Sequence, residues 1–268
     1  MIYCLFSQLK PPNGAFVFKE PYNPHFSAYH SVDPLWPKFE PFELTHNHRQ
    51  GKGAKWADAL NRFRIGELME EDVELLRHRI TTEDEVGKDA FHIMYTNEEV
   101  AKYNQKGLDL IEGEEIQLKA IRTKNCYIDK KKGTVDSTNF MDVLKFKIGS
   151  RVKLVYNINT MDGLVNGAFG NVVGIEKNCQ GEIYAIIVRF DQESTGQEQR
   201  SVKKHLSEKY KDIFGTPIFK HTLEYFKMSK SGHKSSGRGK VIQFPLWLAD
   251  ASTSHNAQVI QFQCNLRV

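Results

Sequence analysis

Four cysteines are scattered through 268 residues at Cys4, Cys126, Cys179 and Cys264. No Cys-x-x-Cys pair or other close ligand spacing joins them, which argues against a zinc knuckle or a disulfide framework. No stretch approaches the ~18 uninterrupted apolar residues of a membrane-spanning helix, and MIYCLFSQLKPPNG has no basic segment ahead of a short apolar run, so it does not read as a signal peptide. An intracellular protein is the expectation. Neither sign of charge dominates: 37 Lys and Arg against 33 Asp and Glu give a formal charge of +4, which permits a nucleic-acid partner without demanding one. The phosphate-cradling pattern Gly-x-x-x-x-Gly-Lys-Ser/Thr occurs nowhere, nor does an apolar strand ending in Asp-Glu, so the residues that hold ATP and magnesium in P-loop motors are not in the sequence. His46 and His48 form a His-x-His pair with no further residues at metal-site spacing, and no metal is assigned.

What is present changes character along the chain. The first fifty residues carry Pro11, Pro12, Pro21, Pro24, Pro34, Pro37 and Pro41, which disfavour long regular elements there. From Ala54 the spacing of Trp56, Leu60 and Phe63 predicts one short helix, and Met69, Val73, Leu76 and Ile80 predict a second after Gly66. Phe91 to Tyr95 predicts a strand. Thr96-Asn97-Glu98-Glu99 has the form of a capping box, with the Thr hydroxyl accepting an orphan backbone N–H and Glu99 reaching back, and so predicts a helix through Val100 and Tyr103.

Beyond about Glu115 the period becomes that of strands, in QLKAI, RVKLVYNI, GNVVGIE and EIYAIIVRF, which together predict a small β-barrel. Lys145, Lys147, Arg151 and Lys153 alternate with apolar residues; they present either a basic stripe to phosphates or a solvated face. The glycines of DGLVNGAFGNVVG suit tight turns, a folding role. Phe226 to Leu248 contains Lys227, Lys230, Lys234, Arg238 and Lys240 and no acidic residue; its SGHKSSGRGK portion reads as a flexible basic loop. VIQFPLWLADAST then returns to an apolar strand.

Taken in order, several segments resemble the petite-integration-frequency family of superfamily 1B DNA helicases, particularly the versions carried by Helitron transposons. FSQLKPPNGAFVF is similar to motif III, with Leu5 standing where an aspartate is expected. FELTHNHRQGKGAKWADALNRFRIGELMEEDVELLRHRI is similar throughout to the motif IV region. FHIMYTNEEVAKYN resembles the strand and capped helix of the second RecA-like domain, and LKFKIGSRVKLVYNINTMDGLVNGAFGNVVGI its SH3-like insertion, domain 2B. QFPLWLADASTSHNAQ resembles motif V, with Asn256 in place of a lysine and Val259 in place of a glycine; motif VI is not found.

The resemblance implies an α/β fold, a RecA-like domain 2A interrupted by an SH3-like β-barrel. Residues 1–25 would be a remnant of the first motor domain, 26–115 the first part of domain 2A, 116–239 the insertion with its basic loop, and 240–268 the return to domain 2A. It implies γ-phosphate contacts for Gln8 and Arg49, and single-stranded DNA contacts for Thr96, Asn97, Thr253 and His255. The cofactors of intact relatives would be ATP and Mg2+, with none expected for this chain alone. The expected function is therefore that of a helicase fragment, nuclear or mitochondrial, without independent ATP turnover; the alternative is a non-enzymatic module that binds single-stranded nucleic acid or protein. Nothing in the sequence argues for a separate ATPase chain.

Overall fold

The computed structural model describes residues 40, 54–82, 85–86, 90–123, 127–130, 132–136, 138–203, 206, 208–228 and 234–257. They fall into two compact units, residues 1–87 and 88–268.

In the first unit the two expected helices form, α1 (Ala54–Ile65) and α2 (Glu70–Arg77). Gly66, at φ +80°, ends α1 in the left-handed conformation that a Cβ disfavours. Asp72 then joins the helices: it accepts Arg62 Nε at 2.7 Å and Nη2 at 2.6 Å, and the backbone N–H of Met69 at 3.0 Å. The Arg79 guanidinium lies 5.3 Å over the Trp56 ring, a second tie between the helices' ends.

The second unit opens with β1 (His92–Met94) and α3 (Asn97–Leu110). Short strands follow: β2 (Ile116–Lys119), β3 (Ile121–Arg122), β4 (Ile128–Asp129), β5 (Thr134–Val135) and β6 (Val143–Phe146). Longer ones come next, β7 (Arg151–Leu154), β8 (Phe169–Lys177) and β9 (Ile183–Phe190). After α4 (Gln197–Val202) and a 3-10 helix (Glu208–Ile213) come β10 (Gly215–Phe219), β11 (His221–Met228), β12 (Lys234–Gln243), β13 (Leu246–Leu248), β14 (Ala251–Thr253) and α5 (Ser254–Ala257).

The main sheet is antiparallel with order β10-β9-β8-β7-β13. Its inner strand β9, between β10 and β8, is apolar almost throughout because both faces are covered. Ile186 and Val188 enter the principal core with Phe146, Leu154, Phe244 and Leu246, while Ala185 and Ile187 pack with Leu206 on the other side. A second core gathers Val135, Phe140, Val155, Tyr225 and Val241 beneath the sheet β11-β12-β3. Gly167, at φ +93°, serves the β7–β8 connection as a turn residue, and Gly170 serves close packing: a Cβ there would stand 2.5 Å from the Arg189 carbonyl oxygen.

Two expectations are corrected. The strands do not close into a barrel: among the described residues the edge strands β10 and β13 are not hydrogen-bonded to each other, and β2-β6, β4-β5 and β11-β12-β3 form separate sheets. Alternation of apolar residues specifies strands, whereas closure depends on tilt and stagger that no single strand encodes. The basic loop is also a strand over its second half, since residues 234–243 form β12, antiparallel to β11, with Gly239 opposite Tyr225 and Lys240 opposite Glu224. The glycine read as a linker residue makes room for an aromatic ring: a Cβ on Gly239 would lie 2.5 Å from Tyr225 Cζ.

Candidate nucleic-acid interface

Strands β1 and β14, distant in sequence, lie side by side in parallel, with His92 opposite Ala251, Ile93 opposite Ser252 and Met94 opposite Thr253. Each strand runs directly into a helix, β1 into α3 and β14 into α5. Thr96 and Asn97 therefore follow one strand where Ser254 and His255 follow its neighbour. The topology thus brings together at one sheet end all four residues expected to meet DNA. Gln8 and Arg49, the expected phosphate contacts, lie outside the described residues, as do His46 and His48.

The capping box forms as the sequence predicts. Thr96 Oγ1 accepts Glu99 N–H at 3.2 Å, and Glu99 Oε2 accepts the Thr96 backbone N–H at 2.9 Å and its hydroxyl at 3.0 Å. Those bonds hold the Glu99 carboxyl below its ordinary range. Thr96 is exposed and Asn97 half-buried, while Thr253 is buried at 8% exposure, so Thr253 meets its surroundings chiefly as a packed residue.

Three polar residues around β14 carry the site and were not singled out for it from sequence. Asn104, buried on α3, accepts the Ala251 N–H at 2.8 Å and donates toward the carbonyls of Leu248 and Ala251 at 3.4 and 3.5 Å. Lys153, on β7, donates to Ser252 Oγ at 3.1 Å and lies 5.5 Å from the Trp247 ring; burial pushes its ammonium down to about 8. Asp250 is raised from its ordinary value by burial, with Arg151 and His92 opposing the shift. The signal for Asn104 is its spacing, one turn beyond Val100 on the inner face of α3.

Of the two readings of the alternating cations, a basic stripe or a solvated face, the contacts of these side chains favour neither as a whole. Lys145 pairs with Glu115 at 3.7 Å, and Lys147 Nζ donates to the Ile111 carbonyl at 2.8 Å. Arg151 binds Asp191 through two contacts of 2.6 Å, and Lys153 is buried as above. No group of three or more His, Cys, Asp or Glu suited to a metal ion occurs among the described residues. Two open clefts, of about 560 and 610 Å³, are lined by neither strand end. Among the described residues no helix is long and apolar enough to cross a membrane.

Residues 134–175, from β5 into β8, match the family model described as DNA helicase Pif1, 2B domain. ATP-dependent DNA helicase PIF1 of Rattus norvegicus is 32% identical over 152 residues, covering 54% of this chain and 23% of that protein. The Mus musculus protein of the same name is 32% identical over 143 residues, covering 52% and 21%. Among solved structures, unliganded Pif1 from Bacteroides sp. superposes with a TM-score of 0.51 at 20% identity over 76% of this chain and 40% of that one. Pif1 helicase from Candida albicans gives 0.50 at 20% identity over 80% and 46%. The chain spans less than a quarter of the curated relatives and under half of the solved ones. Over about half its length the chain is thus similar in sequence to Pif1 helicases, the petite-integration-frequency family, and residues 134–175 match that family's 2B domain.

Proposed function

We propose that this chain supplies part of the second motor domain of a Pif1-type DNA helicase: β1, α3, β14 and α5 belong to a RecA-like domain 2A, and the intervening sheets are the SH3-like insertion 2B. Single-stranded DNA is held at the carboxyl ends of β1 and β14, against Thr96, Asn97, Thr253 and His255. The observation that carries the reading is the parallel register of the two strands, which unites residues from opposite ends of the unit. Thr253, being buried, acts by setting the course of the backbone into α5, and the Asn97 and Glu98 amides, which a helix's first turn leaves without intrahelical acceptors, face the sugar-phosphate chain.

Within the same reading Gln8 and Arg49 descend from γ-phosphate contacts, and Arg49 would stabilise charge developing on a transferred phosphoryl group. ATP and Mg2+ are the cofactors of intact relatives; this sequence has neither the phosphate-cradling loop nor the Asp-Glu strand that would hold them, so the 268 residues alone do not turn over ATP. A DNA target assigns the protein to the nucleus or the mitochondrion.

Fluorescence anisotropy of a labelled oligothymidine, titrated with the purified chain at low salt, tests the reading. Saturable binding that weakens in Asn97→Ala supports it; no binding at low salt overturns it in favour of a protein-binding module. Phosphate release from MgATP, measured with and without the oligonucleotide, should stay at the blank rate. Turnover that survives repeated purification and is lost in Arg49→Ala contradicts the ATPase part.

A further inference from the structure

Lys153 is a costly residue in its place. Its side chain is only 6% exposed, it sits opposite Trp247 in the β7–β13 register, and burial alone accounts for its lowered basicity. No carboxylate pairs with it among the described residues; its polar partner is the hydroxyl of Ser252. A buried ammonium without a counter-charge weakens a fold relative to an apolar side chain of similar length. What the ammonium provides that methionine does not is one directed bond from the main antiparallel sheet to β14.

That strand needs tethering. It has three residues, and β1 is its one strand neighbour among the described residues, a pairing too short to fix its own place. Asn104 grips Ala251 from α3, and the Ala249 N–H bonds the Arg151 carbonyl at 2.9 Å just before the strand. Ser252, 2% exposed, lies between the residue Asn104 holds and Thr253.

We propose that Lys153 is a positioning residue: through Ser252 it locks β14 to the main antiparallel sheet and so sets where Thr253 and the start of α5 stand. Its effect on DNA affinity rests on the functional reading above; its effect on the strand does not.

The experiment uses the full chain and its Lys153→Met, Ser252→Ala and double variants. It follows backbone hydrogen exchange across residues 249–257, global unfolding in urea, and oligothymidine affinity. Lys153→Met should unfold at an equal or higher urea concentration yet exchange about tenfold faster in β14, the scale of one lost buried hydrogen bond. Ser252→Ala, which removes one oxygen atom, should also speed exchange there. The double variant should exchange no faster than the faster single one, because both changes break the same bond. A merely structural lysine would change exchange everywhere in step with global stability. Unchanged β14 exchange in both single variants overturns the proposal. If exchange rises but oligothymidine binds all forms equally, the strand lock stands and its link to DNA falls. If the parent chain binds no oligothymidine, faster β14 exchange still upholds the lock while the functional reading fails.

Discussion

Asp72 and Lys153 are both nearly buried and both titrate below their ordinary values, Asp72 because its charged form is held by partners and Lys153 because its charged form is desolvated. The Asp72 carboxylate is held down to about 2 by its paired contacts with Arg62 and by the Met69 amide. A carboxylate that binds its proton less readily when folded stabilises above its unfolded value and loses that contribution as pH falls. The α1–α2 pair should therefore lose helical ellipticity between about pH 4 and 2, and Asp72→Asn should remove most of that acid transition while lowering helix content at neutral pH. In Lys153, a base, the same downward shift comes from burial and is destabilising, so the penalty is present at neutral pH and fades as pH rises above about 8. Urea stability of the parent relative to Lys153→Met should consequently improve between about pH 8 and 10, and a constant difference over that range would show that the ammonium is not desolvated. Asn104 is a simpler case: Asn104→Ala leaves the Ala251 N–H buried without a partner, at a cost of about 1–3 kcal/mol in urea unfolding.

At the scale of elements, the capped helix was the most legible part of the chain, because Thr96 and Glu99 announce its first turn and Val100, Asn104 and Leu108 follow on one face. Thr96→Ala should destabilise the second unit by about 1 kcal/mol, with Thr96→Ser restoring most of it, since serine supplies the same acceptor. Strand β9 was equally plain as an apolar run. Strand β12 was not, because serine and glycine read as a linker when the aromatic partner that requires the glycine lies on another strand. Gly239→Ala should accordingly cost about 1–3 kcal/mol, the range for overpacking against a fixed neighbour, and Tyr225→Leu in the same chain should recover part of it. The site was legible in its residues rather than its geometry. Thr96, Asn97, Thr253 and His255 came from a family likeness, and their meeting at one sheet end depends on a parallel pairing that no local pattern encodes. Lys153 was visible only as one of four alternating cations; its burial is set by Trp247 and Ser252, far along the chain.

For the whole molecule, the count of 37 Lys and Arg overstates the cations open to a nucleic acid. Arg62, Arg122, Arg151 and Lys209 are each engaged with a carboxylate at 2.6 to 2.9 Å, and Lys153 is buried. Single-stranded binding should then rest on few phosphate contacts. Each phosphate neutralised contributes about 0.7 to the slope of log affinity against log salt, so two to four contacts predict a slope of roughly −1.4 to −2.8. Anisotropy titrations over a range of sodium chloride concentrations measure it directly. Arg122→Ala should leave the slope unchanged while lowering stability, because its guanidinium serves Asp142 rather than solvent. A markedly steeper slope would mean that cations paired in the free chain exchange their carboxylates for phosphates on binding. Measurable affinity with no salt dependence would assign recognition to stacking on the exposed ring of Tyr95, which stands just beyond β1 beside the capped end of α3.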